Sequence, residues 1–313
     1  MQSNLNKPVF VVGSPRSGTS ILSWCLDEHP NLFVIPESSW MGLFAINVAV
    51  SYRIGSARGN RSVLSAMNTS PDEFFAIFGR SINDLILGHR KELEKKRYIP
   101  SSPSVPKRRW VDGTPEYSFY IYGLRKLFPD AVFIHILRNV RDVVRSMLNF
   151  YRVAGTHLVG NEQEAYTYWL RTVRACVQAE QAYGPRVVYR LSHQALNDNA
   201  ESPMRLLLDF LGEPYCAKCV AFLTKRINSS NVPEDFIAED PATDPSVVKD
   251  ATELWEELKE KPQAAEPSSV DADEMETAFR ERVIYVATLA EAYQKARQML
   301  EACNEDTSPS ELQ

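Results

Sequence analysis

The chain has 313 residues, 44% of them hydrophobic, and a formal net charge of −5. This length can bury a sizeable core in one large α/β domain, and no run of eighteen apolar residues offers a membrane-crossing helix. Five cysteines at irregular spacings and an N-terminus without a hydrophobic signal region point to reduced thiols in a cytoplasmic protein.

The first apolar run, Val9-Phe10-Val11-Val12, reads as a buried strand, and a helix follows it. Between them lies Gly13-Ser14-Pro15-Arg16-Ser17-Gly18-Thr19-Ser20. The interval between its glycines is that of a phosphate-binding loop, but Thr19 stands where a nucleoside-triphosphate enzyme carries lysine. Small residues let the amides of Arg16 to Ser20 close around an anion at the positive end of a helix dipole. Arg16 brings the cation, which suits a terminal phosphate or a phosphate mixed anhydride better than a Mg-triphosphate.

The helix ends at His29-Pro30, because a residue before proline is pushed out of the α region. A short strand, Leu32 to Ile35, then delivers Pro36 and Glu37 to its C-terminal end, the edge where open α/β sheets bind ligands. Glu37 is a candidate general base there; the alternative is an exposed loop glutamate or a helix cap beside Ser38. Residues 40 to 106 read as an irregular helical insertion rich in aromatic residues, which places acceptor contacts, and end in the serine-rich loop Pro100 to Pro106.

Arg109 to Asp112 reads as a strand, Gly113-Thr114-Pro115-Glu116-Tyr117 as a strand-to-helix turn, and residues 117 to 127 as a helix. The continuous apolar run Ala131 to Leu137 is typical of a central parallel strand, with His135 expected to be hydrogen-bonded inside it. Arg138 leaves that strand at the ligand edge, and Ser146 lies about two turns into the next helix. Two donors so placed can close on one phosphate.

Cys216 and Cys219 form a CxxC without a second pair or a nearby histidine, which favours a packed helix face over a zinc site. Prolines at 233, 241, 245, 262 and 267 mark an irregular connector with one short helix around Leu254-Trp255. Met275, Phe279, Val283, Val286, Tyr293 and Leu300 then line a helix of roughly thirty residues. Residues 233–313 hold 21 acidic and 7 basic side chains, leaving 28 basic against 19 acidic for residues 1–232. A basic body suits a polyanionic small ligand, and no basic stripe with interleaved aromatics suggests nucleic acid.

Taken together, Gly13 to Ser20 and the stretch Phe133 to Ser146 resemble the 5′-phosphosulfate loop and the 3′-phosphate motif of the sulfotransferase superfamily. The likeness covers roughly residues 8 to 235 and is nearest the Pro-Arg-Ser-Gly-Thr branch, which includes tyrosylprotein sulfotransferases and many bacterial enzymes. It implies a three-layer α/β P-loop fold with a central parallel sheet over residues 1–235. An acidic connector and C-terminal helix (236–303) packing on the body and a disordered tail (304–313) complete the expected organisation. The donor implied is 3′-phosphoadenosine 5′-phosphosulfate, with no metal required.

By residue-by-residue carry-over, Glu37 is the base. Pro15, Arg16, Ser17, Gly18, Thr19 and Ser20 hold the 5′ end, with Arg16 also stabilising leaving-group charge, and Arg138 and Ser146 hold the 3′-phosphate.

This chain departs from the pattern in three places. Gly113 stands where many relatives carry lysine, so that cation is absent or supplied by Lys107, Arg108 or Arg109. His193 takes a tyrosine position and is assigned to the nucleotide, the alternative being a cap on its strand. Lys225, Arg226 and Ser230 stand in for a missing basic loop. The acceptor expected is a small molecule, glycan, lipid or peptide, taken by a monomer or homodimer. The competing readings are a nucleotide or small-molecule kinase and a degenerate nucleotide-binding module.

Overall fold

The computed structural model describes residues 7–95, 109–221, 223 and 231–306. Five short strands form one wholly parallel sheet: β1 (Val9–Val12), β2 (Leu32–Ile35), β3 (Arg109–Asp112), β4 (Val132–Leu137) and β5 (Val188–Ser192), in the order β2-β3-β1-β4-β5. Parallel strands need crossovers, and the intervening helices cover both faces. This is the expected α/β architecture. Every residue of β1 is fully buried, which explains its unbroken apolar sequence.

Helix α1 (Thr19–Asp27) follows β1, and α2 (Met41–Ser56), α3 (Val63–Ala66), α4 (Pro71–Gly88) and α5 (Arg90–Lys95) make up the insertion after β2. Residues 117–127, expected as one helix, split into a 3-10 turn at Pro115–Phe119 and α6 (Ile121–Leu127). Pro115 opens the tight turn, and α6 is packed on the body by the buried Ile121, Leu124 and Leu127. Beyond β4 come α7 (Val140–Leu148), α8 (Tyr151–Ala154) and α9 (Glu162–Tyr183); beyond β5 come α10 (His193–Asp198) and α11 (Glu201–Leu211).

One side of the sheet packs Phe10, Phe33, Trp110 and Phe133 against α2, α4 and α6; the other packs Val9, Val11, Val111 and Ile134 against α1 and α11. Cys216 and Cys219 sit at a 3-10 turn rather than a helix face, and burial pushes the Cys219 and Cys25 thiols up, away from reactivity.

The C-terminal extension is built onto the sheet edge. Arg190 of β5 donates to the carbonyls of Leu258 (3.3 Å) and Lys261 (3.0 Å) and pairs with the buried Glu180 of α9. Gln263 accepts from the Arg190 amide at 3.1 Å and donates to the Val188 carbonyl, covering part of an otherwise open edge strand. The helix expected to be short is α12 (Pro245–Glu260), 16 residues long, started by Asp244 accepting from the Ser246 amide. The last helix, α13 (Ser269–Asp306), runs for 38 residues and past the expected tail boundary at 304, while residues 307–313 lie outside the described part. Its first half packs Met275, Phe279 and Val283 on the body, but Tyr293 and Leu300 are exposed, because the helix outruns the surface it packs on.

Among the described residues, no helix is long and apolar enough to cross a membrane.

Candidate functional site

All five strands release chain at the same sheet edge. There β1 gives the Gly13–Ser20 loop, β2 gives Glu37, β3 gives Asp112 and the turn after it, β4 gives Arg138, and β5 gives His193. The ends of β1 and β4 are neighbours, which brings the two phosphate-type motifs together.

The loop needs its glycines for different reasons. At Gly13 (φ 148°) a Cβ would lie 2.7 Å from the Ile136 carbonyl oxygen, so only glycine lets the loop leave β1 against β4. Gly18 (φ 106°) caps α1 without any side-chain cap, and a Cβ there would meet His193 Cδ2 at 2.8 Å. Arg16 itself takes a left-handed φ of 71°, a conformation that costs a non-glycine residue and that functional sites retain. Pro15, Ser17 and Thr19 are buried, while Ser20 is exposed.

Arg138 and Arg16 are interlocked. The Arg138 guanidinium donates to the Arg16 carbonyl at 2.9 Å, and its own carbonyl is held by Trp169 Nε1 at 3.3 Å. Arg16 Nε lies 3.3 Å from Ser146 Oγ on α7, and its guanidinium sits 4.8 Å from the centroid of the Phe150 ring. Burial disfavours the charge on both guanidiniums, each of which an anion would stabilise. Ser17 Oγ and Arg138 Nε are buried without a hydrogen-bond partner among the described residues. Two orphaned donors beside a helix N-terminus fit a bound phosphate group.

Glu37 is exposed just past the C-terminal end of β2 and does not cap α2, whose first turn is preceded by Trp40. Crowding by protein atoms raises its pKa, the nearby Glu116 and Asp112 carboxylates add to the rise, and Arg16 opposes it. The chain beside it is pinned: Ser38 Oγ donates to Asp112 at 2.6 Å and contacts the Tyr117 hydroxyl, which also accepts from the Met41 amide at 3.0 Å. Asp112, fully buried, additionally accepts from the Thr114 amide (2.9 Å) and hydroxyl (2.6 Å). Glu116 is oriented by Tyr168, whose hydroxyl donates to it at 3.1 Å.

His193 opens α10 with Nδ1 3.2 Å from Asn197 and its ring against Gly18. Burial and the Arg138 charge lower its pKa to about 4, so it is neutral at pH 7.

Arg109 does not replace the missing lysine. It lies at the opposite end of β3, buried, donating to the Leu211 carbonyl (2.7 Å) and pairing with Glu213 (3.8 Å). Gly113 is tightly packed instead: a Cβ there would approach Ser23 Oγ to 2.4 Å. Lys107, Arg108, Lys225, Arg226 and Ser230 lie outside the described residues. His135 is only half satisfied. Nδ1 meets Glu180 Oε1 at 2.5 Å, but Nε2 has no hydrogen-bond partner among the described residues. Among the described residues, no cluster of His, Cys, Asp or Glu is arranged to hold a metal.

Sequence reasoning missed the supporting groups Glu116, Tyr168 and Phe150. Glu116 was visible only as part of a turn, and nothing local marks Tyr168 or Phe150 as reaching the site.

The glycine-spaced loop after β1, an arginine after β4 and a carboxylate after β2 thus meet at one edge of a parallel α/β sheet. Residues 8–216 match the sulfotransferase family, and the chain belongs to it. It is 26% identical over 212 residues to an uncharacterized protein of Aquifex aeolicus, an alignment covering 67% of this chain but 26% of that one. It is 21% identical over 216 residues to a putative protein-tyrosine sulfotransferase of Caenorhabditis briggsae, covering 69% of each. The chain thus spans about a quarter of the length of the Aquifex relative and about two thirds of the other. Among solved structures, sulfotransferase STF9 from Mycobacterium avium superposes with a TM-score of 0.45 at 17% identity, covering 84% of this chain and 79% of that one.

Proposed function

We propose that this protein transfers a sulfuryl group from 3′-phosphoadenosine 5′-phosphosulfate to an acceptor hydroxyl or amine, with Glu37 as general base. The observation that carries the reading is the meeting of the Gly13–Ser20 loop with Arg138 at one sheet edge, with buried donors on Ser17 and Arg138 lacking partners among the described residues. The donor supplies an activated sulfuryl group on a 5′-phosphate leaving group. Loop amides at the N-terminus of α1, together with Ser17, Thr19 and Ser20, bind the 5′ end and stabilise charge as the bridging S–O bond breaks. Arg138 and Ser146 hold the 3′-phosphate, the arginine through charge-assisted hydrogen bonds.

Arg16 lies between these two jobs. Its carbonyl positions Arg138, its side chain rests on Ser146 and Phe150, and its charge is felt by Glu37. Glu37 accepts the acceptor's proton as the new S–O or S–N bond forms, and its raised pKa brings it nearer the pKa of a useful base. Asp112, through Ser38, fixes the backbone that presents Glu37. His193, neutral and packed on Gly18, lines the nucleotide side.

Calorimetric titration in EDTA with adenosine 3′,5′-bisphosphate, against Mg-ATP, tests the donor. Metal-independent binding of the bisphosphate without binding of ATP supports the reading. The reverse preference overturns it in favour of a kinase. A protein that binds the bisphosphate, yet whose activity is indifferent to Glu37→Ala, loses the base assignment.

A further inference from the structure

Helix α2 begins four residues beyond Glu37 and carries apolar residues on its exposed as well as its buried side. Its buried face carries Met41, Ala45 and Val48. Trp40, Leu43, Asn47, Val50 and Ile54 recur at intervals of three and four, the repeat of a single helical face. On that face Trp40 is 43%, Leu43 52% and Ile54 71% exposed. No charged residue occurs from Met41 to Tyr52. A helix at a protein surface ordinarily turns charged residues outward, so an uncharged, mostly apolar face about 20 Å long, interrupted by the exposed Asn47, calls for an occupant.

Its position says what the occupant is. Trp40 stands at the Glu37 end of the helix, held edge-on to Phe44 (centroids 5.6 Å), which in turn meets Phe78 (5.9 Å). This makes Trp40 a supported platform next to the carboxylate rather than a loose surface ring. The charge around Glu37 is mostly negative, from Glu116 and Asp112, with Arg16 as the opposing cation. An anionic acceptor is repelled there, whereas a neutral hydroxyl is not.

Resting on the proposed sulfuryl transfer, we infer that the acceptor is a neutral alcohol with an elongated apolar body: the hydroxyl meets Glu37 and the body lies along Trp40, Leu43, Val50 and Ile54. The acceptor O–H proton passes to Glu37, the acceptor oxygen bonds sulfur, and adenosine 3′,5′-bisphosphate leaves.

The test is a series of straight-chain primary alcohols, from butanol to octadecanol, turned over by the full chain with the sulfated donor. Each added methylene is expected to raise kcat/KM about threefold until the stripe is covered. Leu43→Ser and Ile54→Ser should flatten that slope, the first from shorter chains onward and the second only for the longest. Bisphosphate binding, measured by calorimetry on the same samples, shows that the variants are folded and that the donor site works.

A chain that binds the bisphosphate but turns over no alcohol, shows no length dependence, or prefers an acidic tyrosine peptide overturns this inference and leaves the donor reading standing. Failure to bind the bisphosphate overturns both. A change in sedimenting mass with Leu43→Ser, without a change in slope, assigns the stripe to a second copy of the chain instead.

Discussion

The two flanks of the sheet edge are made of opposite materials. The β1/β4 flank is small residues, backbone amides and two interlocked arginines, with Ser14, Ser17 and Thr19 all buried. The β2 flank is aromatic and aliphatic, led by Trp40 and Leu43, with carboxylates at its inner end. The first can stabilise a polyanion only by fixed dipoles and charge; the second can hold a neutral molecule only by shape and apolar area. A transfer reaction needs both, and Glu37 stands between them.

The strongest way to break this division of labour is at the boundary. Glu37→Gln removes the proposed base while keeping its size, and should lower kcat by about 10²- to 10⁴-fold, with bisphosphate affinity changed less than twofold by calorimetry. Equal losses in both would place Glu37 on the donor side. Next in size is Arg138→Ala, which should weaken adenosine 3′,5′-bisphosphate binding by roughly 10- to 100-fold. Adenosine 5′-monophosphate should be far less affected, and equal losses would remove the 3′-phosphate assignment.

A smaller effect sharpens the inner end of the acceptor flank. Glu37 must be ionised to accept a proton, so kcat/KM should fall with acidification through its raised pKa. Glu116→Gln removes one of the charges that raise it, and the acid limb should move to lower pH. An unmoved limb would mean that another group titrates.

The smallest effect belongs to the donor flank and to stability. His193 has a folded pKa of about 4, below its ordinary value of 6.5, so the unfolded chain takes up the proton first. Its contribution is fully present above pH 6.5 and is lost as pH falls towards 4. Urea midpoints of the ligand-free protein should show that loss, and His193→Gln should reduce the slope over the same window.

The legibility of the site follows the range of its interactions. The loop was readable because Gly13, Gly18 and Thr19 occupy one turn whose spacing is itself the signal. Arg138 and Ser146 were readable for the same reason, since a strand end and the second turn of its helix have a fixed offset. Arg109 misled: its place beside a missing lysine suggested a substitute cation, but a strand of four residues puts its first side chain at the far end of the sheet. The split of residues 117–127 and the overrun of α13 are boundary effects that apolar periodicity does not resolve.

By itself the amino-acid sequence determined the parallel α/β class, the glycine-spaced loop without its lysine after the first strand and the delivery of Glu37 and Arg138 to strand ends. Each depends on residues close together in the chain. Only the tertiary structure decided that Arg16 reaches Ser146 across 130 positions, that Tyr168 orients Glu116 across 52 and that Ser38 is locked to Asp112 across 74. It also decided which face of α2 is left to solvent. Such pairings arise from the order in which strands enter the sheet and helices cover it, and so no local spacing encodes them.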